Sequence, residues 1–255
     1  LMLFSIIHFG CWWEYMTLVE KMNGVHFNRY MRIGLMLIGY AFMLSFCGKT
    51  YSINGYGLKE NLCVPFSAAG LILLIIGIFK KNIFTLKSFC VATLGWIYIS
   101  LSWGMMIGLR QENLVKKGHS LIDTGSIFPL ILIASIWIND TMAYIVGSFI
   151  GKTSFSKISP KKTWEGTIGG AILCVLAVTL VSHFVFNFPL VPIVVISLIA
   201  AVVGTFGDLL ESKIKRMANV KDSGMMMPGH GGFMDRFDSL LLAIPFVWIY
   251  LKLLG

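Results

Sequence analysis

A chain of 255 residues that is 56% hydrophobic and only 13% charged, with a mean hydropathy of +0.80, is too apolar for an ordinary soluble domain. Its net charge of +9 comes with no aromatic-interleaved nucleic-acid motif, and a basic surface suits anionic lipid headgroups or a nucleotide equally well. Cys11, Cys47, Cys63, Cys90 and Cys174 stand singly, without CxxC spacing. They support neither a zinc site nor a disulfide framework and read as helix-packing residues.

Apolar runs occur at roughly 1–13, 33–47, 63–79, 88–108, 121–150, 167–186, 190–210 and 239–254, several of them near the roughly 20 residues that a spanning helix needs. Lipid offers no partner for unpaired backbone groups, and the alternation of a barrel strand is absent, so the runs are read as helices. The fold expected is all-α, a polytopic integral membrane protein of about eight transmembrane helices. Because the chain opens inside apolar sequence at Leu1, a ninth, N-terminal helix is expected to be missing.

The N-terminal region, 1–120, reads as transmembrane helices with little chemistry. Trp12, Trp13 and Tyr15 form an interfacial aromatic belt and residues 28–32 a basic turn; Glu14 is read as another interfacial residue, the alternative being that it faces a polar cavity. Residues 48–61 and 108–119 read as loops by their Gly, Asn and charge content. If all eight runs are crossings, the loops 14–32, 80–87, 151–166 and 211–238 share one side and hold most of the Lys and Arg. The positive-inside rule makes that side the cytoplasm.

The region 121–255 carries the chemistry. In WINDTMAYIVG, Asp140 lies mid-run, where an ionisable side chain costs about 2.5–3.5 kcal/mol on insertion scales and marks a candidate functional site. The bland alternative is a buried carboxylate satisfied by its neighbours. Ser159 opens SPKKTWEG, a turn that Pro160 keeps out of continuous helix, followed by a helix start. Lys161 and Lys162 stand beside its free amides, a favourable place for phosphate or, alternatively, a topology signal. The runs 167–186 and 190–210 form a helical hairpin. On its second helix, within GDLLESKIKR, Asp208, Ser212 and Lys215 fall on one face, while Glu211 and Lys213 need not point inward.

The charged stretch 212–239, SKIKRMANVKDSGMMMPGHGGFMDRFDS, lies between two apolar runs. Lys213, Lys215, Arg216 and Lys221 bring cations, and Asp222, Asp235 and Asp238 bring carboxylates. Gly229, Gly231 and Gly232 bracket His230 in a backbone free to approach a ligand. Asp235 and Asp238 share a helix face, and a hairpin that brings Asp208 to them would suit Mg2+, a hard cation held by carboxylates together with substrate phosphates. The plain alternative is a solvated loop of paired charges.

The order Ser212, Ile214, Lys215, Arg216, Lys221, Asp222, His230, Gly231, Gly232, Asp235, Arg236, Asp238 resembles the signature of the phosphatidate cytidylyltransferases, also called CDP-diacylglycerol synthases. ND-T-x-A-Y-x-x-G and SPKKTWEG are similar to that family's elements in the same order, so the resemblance covers roughly 136–239 well and the N-terminal third only in hydropathy. It implies transfer of cytidylate from CTP to phosphatidic acid, with CDP-diacylglycerol and pyrophosphate as products and Mg2+ required. A second, monovalent cation such as K+ would be shared at Asp235.

On this resemblance Asp208, Asp235 and Asp238 hold metal, and Lys215, Arg216, Lys221 and Arg236 contact phosphates. Asp222 serves as a metal or Lys-orienting group, and His230 as a phosphate contact or a loop element. Asp140, Ser159, Lys161, Lys162, Ser212, Gly231 and Gly232 bind substrate. Residues 121–255 would be the catalytic region, with a cytoplasmic signature loop at 211–238, in a bacterial inner membrane and with a homodimer as the expected assembly. The competing readings are a related CTP-dependent enzyme acting on another lipid phosphate or lipid alcohol, and, from another class, a membrane transporter.

Overall fold

Each apolar run becomes a helix, and most of the helices continue into the polar residues at their ends. In order they are α1 (Met2–Asn23), α2 (Arg29–Leu44), α3 (Leu58–Phe79), α4 (Leu86–Thr93), a π-helical segment Trp96–Leu101 leading into α5 (Ser102–Leu109), α6 (Thr124–Ile150), α7 (Trp164–Phe186), α8 (Leu190–Met217) and α9 (Met234–Leu254). The structure, a computed structural model, describes residues 1–48, 51–53, 55–80, 85–110, 116–117, 120–121, 124–156, 158–224 and 231–254. Among these, the only strands are two short antiparallel ladders, Ser52–Ile53 with Tyr56–Gly57 and Lys116–Lys117 with Ser120–Leu121. The molecule is an all-α integral membrane protein.

Among the described residues, six stretches are long and apolar enough to cross a bilayer: Leu58–Phe79, Leu86–Leu109, Ile127–Ile150, Trp164–Val185, Leu190–Met217 and Met234–Leu254. Helices α1 and α2 are not among them; α2 has only 16 residues. The stretch 14–32, expected as a loop, is mostly helix. Gly24 at φ 60° ends α1 by a left-handed cap, and Asn28 accepts from the Met31 amide to start α2. Helix persists through these polar residues because they find partners: Glu20 takes Arg32 at 2.7 Å and the Phe27 amide at 2.7 Å.

The chain folds as two compact units, Leu1–Gln111 with Ile214–Phe237, and Glu112–Lys213 with Asp238–Gly255. In the first, α2 and α3 approach closely at glycines. A Cβ on Gly34 would stand 2.8 Å from the Gly70 carbonyl, and one on Gly77 would stand 2.8 Å from the Met31 amide nitrogen. The buried core of α1 carries His8 and Trp12, both 2.9 Å from the hydroxyl of Ser100.

In the second unit, α6 and α7 form a tight antiparallel pair. A Cβ on Gly170 would lie 2.6 Å from the Ala143 nitrogen, and one on Gly166 would lie 2.7 Å from the Ala143 carbonyl. Helices α8 and α9 touch where Gly207 faces the Asp238 carbonyl, 2.7 Å from an added Cβ. Small residues at both crossings let backbones approach without side-chain spacers.

Candidate active site

The approach of α8 to α9 decides which carboxylates meet. The buried stripe of α8 runs through Ile193, Ile196, Ala200, Gly204, Gly207 and Glu211, a helical spacing that ends on an acid. With Gly207 against α9, the carboxylate oxygens of Asp208, Glu211 and Asp238 come within 4.8 Å of one another. Glu211 is fully buried, whereas Asp208 and Asp238 are half-buried. Ser212 sits one turn beyond Asp208 and donates to its Oδ1 at 3.3 Å, and Asp238 Oδ1 accepts from the Ser239 amide at 2.6 Å.

Lysine reaches this group from the SPKKTWEG segment. Thr163 is the N-cap of α7, its hydroxyl accepting from the Gly166 amide at 3.2 Å, and Glu165 in the first turn accepts from the amides of Lys152 and Thr153. The preceding residues fold back on the chain, with the Lys162 amide bonded to Ser159 O at 3.1 Å and the Phe155 amide to Lys162 O at 2.7 Å. Phe155 packs edge-on against Trp164, ring centroids 4.5 Å apart. The turn so held aims Lys162 at Asp208, where the ammonium and carboxylate form an ion pair.

Beside that pair lies a cleft of about 450 Å³ lined by Asp140, Ser159, Lys161, Lys162, Thr205 and Asp208 among others. Its size is that of a small-ligand site. Of the candidate residues, this unit therefore gathers Asp140, Ser159, Lys161, Lys162, Asp208, Ser212 and Asp238.

The other candidates belong to the first unit. Asp235 is gripped from several directions: Lys215 Nζ is 2.6 Å from its Oδ1, while Oδ2 accepts from the Gly232 amide at 2.7 Å and the Ser223 amide at 2.9 Å. Gly231, at φ 80°, makes the turn into α9, and a Cβ there would be strained and would stand 2.8 Å from Asp235 Oδ2. Arg216, Lys221, Asp222 and Arg236 are exposed, the first donating to Val220 O at 3.3 Å. His230 lies outside the described residues.

Two residues escaped the sequence reading. Glu211 need not point inward by sequence alone, yet its spacing from Ala200, Gly204 and Gly207 continues the buried stripe. Glu14, read as interfacial, is only 6% exposed and accepts from Ser223 Oγ at 2.7 Å, the Phe233 amide at 2.8 Å and the Met234 amide at 2.9 Å. Its place at the end of an apolar run, between Trp13 and Tyr15, carried the only signal, since an acid drawn into an apolar helix needs partners.

The donor set at Asp208, Glu211 and Asp238 is all oxygen, which suits a hard divalent cation. Like charges this close also disfavour one another until a cation or a protonated lysine joins them. The cleft next to them offers two lysines and several hydroxyls for an anionic ligand.

A family model described as "Cytidylyltransferase family" matches residues 1–254. The chain is similar to a protein named phosphatidate cytidylyltransferase from Bacillus subtilis, 35% identical over 87% of this chain and 78% of the relative. A protein of the same name from Staphylococcus saprophyticus is 34% identical over 78% of this chain and 71% of its own length. Another, from Synechocystis, is 40% identical over 51% of this chain and 45% of its own.

Proposed function

We propose that this chain, which belongs to the cytidylyltransferase family, transfers cytidylate from CTP to phosphatidic acid, forming CDP-diacylglycerol and releasing pyrophosphate. A phosphate oxygen of the lipid attacks the α-phosphorus of CTP, and the bond to the bridging oxygen of pyrophosphate breaks. The reaction joins two anions, so the site must supply positive charge. The nucleophile is already ionised near neutral pH, and no strong general base is required.

The observation that carries this reading is the meeting of Asp208, Glu211 and Asp238 beside a cleft that holds Lys161 and Lys162. These three carboxylates would hold Mg2+, whose chemistry when bound is to neutralise phosphate charge as it shifts to the leaving group. Lys162, paired with Asp208, is placed to turn to a phosphate oxygen when substrate enters. Lys161 and Ser159 offer a second cation and a hydroxyl at the cleft, and Asp140 lines its wall.

Asp235, whose oxygens are engaged by Lys215, Ser223 and Gly232, is proposed to orient the Lys215 ammonium toward phosphate. Arg216, Lys221 and Arg236 add positive charge, and Asp222 orients the lysine beside it. The concentration of Lys and Arg in 151–166 and 211–238 supports a site on the cytoplasmic face, and the similarity to the Bacillus and Staphylococcus proteins supports a bacterial inner membrane. The test is purified protein in mixed micelles with phosphatidic acid, Mg2+ and CTP labelled at the α-phosphorus. Label passing into the lipid with one pyrophosphate per turnover supports the proposal; label that stays with free nucleotide overturns it.

A further inference from the structure

A carboxylate on the first helix does work that the proposed reaction needs but that no phosphate or metal contact explains. Glu14 sits within α1, buried, and its two oxygens receive three donors from residues more than two hundred positions later: the Ser223 hydroxyl and the Phe233 and Met234 amides. The amides are those at the start of α9, which have no partner within the helix. An anion there is favoured both by the free N–H groups and by the helix dipole.

The surrounding sequence makes room for this side chain. A Cβ on Gly224 or on Gly232 would collide with the Glu14 carboxylate, and a Cβ on Gly10, one turn earlier in α1, would collide with the ring of Phe233. The Ser223 hydroxyl bridges onward, 2.9 Å from Asp235 Oδ2, whose other oxygen holds Lys215 at 2.6 Å. Glu14, Ser223, Asp235 and Lys215 are thus one continuous chain of polar contacts, ending on a lysine assigned above to phosphate.

We infer that Glu14 is a positioning residue: it locks the residues before α9 and the first turn of that helix onto α1, so that Asp235 keeps Lys215 aimed at a substrate phosphate. This rests on the cytidylyltransferase reading given above. Glu14→Gln keeps the volume and one accepting oxygen, but it removes the charge and turns an NH2 group toward donors. Ser223→Ala cuts the same chain one link later and removes only a hydroxyl.

Misalignment of a reacting group by about 1 Å costs up to about 10²-fold, so kcat/KM should fall about 10- to 100-fold in either variant. The decisive readout is coupling. Combined with Lys215→Met, Glu14→Gln should add almost nothing to the loss from Lys215→Met alone, because both act through one contact chain. Hydrogen exchange should quicken at Phe233 and Met234 in Glu14→Gln and stay unchanged in α3. Losses that multiply in the double variant, or wild-type turnover in both single variants, overturn the inference. Should Glu14→Gln fail to fold, Ser223→Ala with Lys215→Met decides by the same criterion. Wild-type protein that makes no CDP-diacylglycerol under these conditions refutes the function reading instead, and amide exchange at Phe233 and Met234 then still tests whether Glu14 holds the start of α9.

Discussion

Replacing Asp238 with Asn should raise the melting temperature of the metal-free protein while removing its response to Mg2+, two effects of opposite sign from one substitution. The oxygens of Asp208, Glu211 and Asp238 lie within 4.8 Å of one another, so at an effective dielectric of about 20 each fully ionised pair repels by about 3.5 kcal/mol. The variant removes two of these pairs, about 7 kcal/mol before screening and protonation. Lys162 on Asp208 and water at the half-buried acids offset most of that, leaving a gain of about 1–3 kcal/mol. For a chain of this size each kcal/mol moves the melting temperature by about 2–4 °C. The Ser239 amide keeps an oxygen acceptor in the variant, so local structure is preserved. Melting would be followed by tryptophan fluorescence in detergent, first with EDTA and then across a Mg2+ series. Wild type should gain about 2.7 kcal/mol at a hundredfold excess over Kd, and the variant little. A variant that melts below wild type in EDTA and keeps the full Mg2+ shift would refute the assignment of these carboxylates.

Lys162→Met removes the ammonium next to Asp208; loss of a charged phosphate contact of about 1.5–3 kcal/mol predicts a fall of about 10- to 100-fold in kcat/KM, and unchanged steady-state kinetics would contradict it. Gly170→Ala puts a Cβ 2.6 Å from the Ala143 nitrogen, where backbone cannot yield, and should destabilise by about 1–3 kcal/mol in a melt; wild-type stability would show that α6 and α7 are not so closely packed.

Much of the architecture could be read directly because membrane helices announce themselves by apolar length, and every run predicted from hydropathy is a helix. Helix ends were harder. Residues 14–23 looked polar enough for a loop, but Glu14 and Glu20 each meet donors in the folded chain, and satisfied acids do not end a helix. The turn at Ser159 and the helix start that follows it were legible from Pro160, whereas the Thr163 cap came from the structure. Hairpin logic joined Asp208 with both Asp235 and Asp238; the structure groups it with Asp238 and Glu211, while Asp235 is engaged by Lys215. Glu211 was hidden because its inward direction depends on the stripe through Gly204 and Gly207, which matters only once α9 is known to pack there. The contact of Glu14 with Ser223 joins residues that no local pattern links, so hydropathy alone could show only that the acid needed a partner.

Asp208, Glu211 and Asp238 are proposed to hold the divalent cation used in cytidylyl transfer. Anomalous diffraction from crystals grown with Mn2+ and a non-hydrolysable CTP analogue tests it most directly. The expected result is a peak bonded to oxygens of all three residues, with nucleotide phosphate completing the shell and Lys162 turned from Asp208 to the phosphate. A peak elsewhere, with the Lys162–Asp208 pair intact and no metal among the three acids, would contradict it.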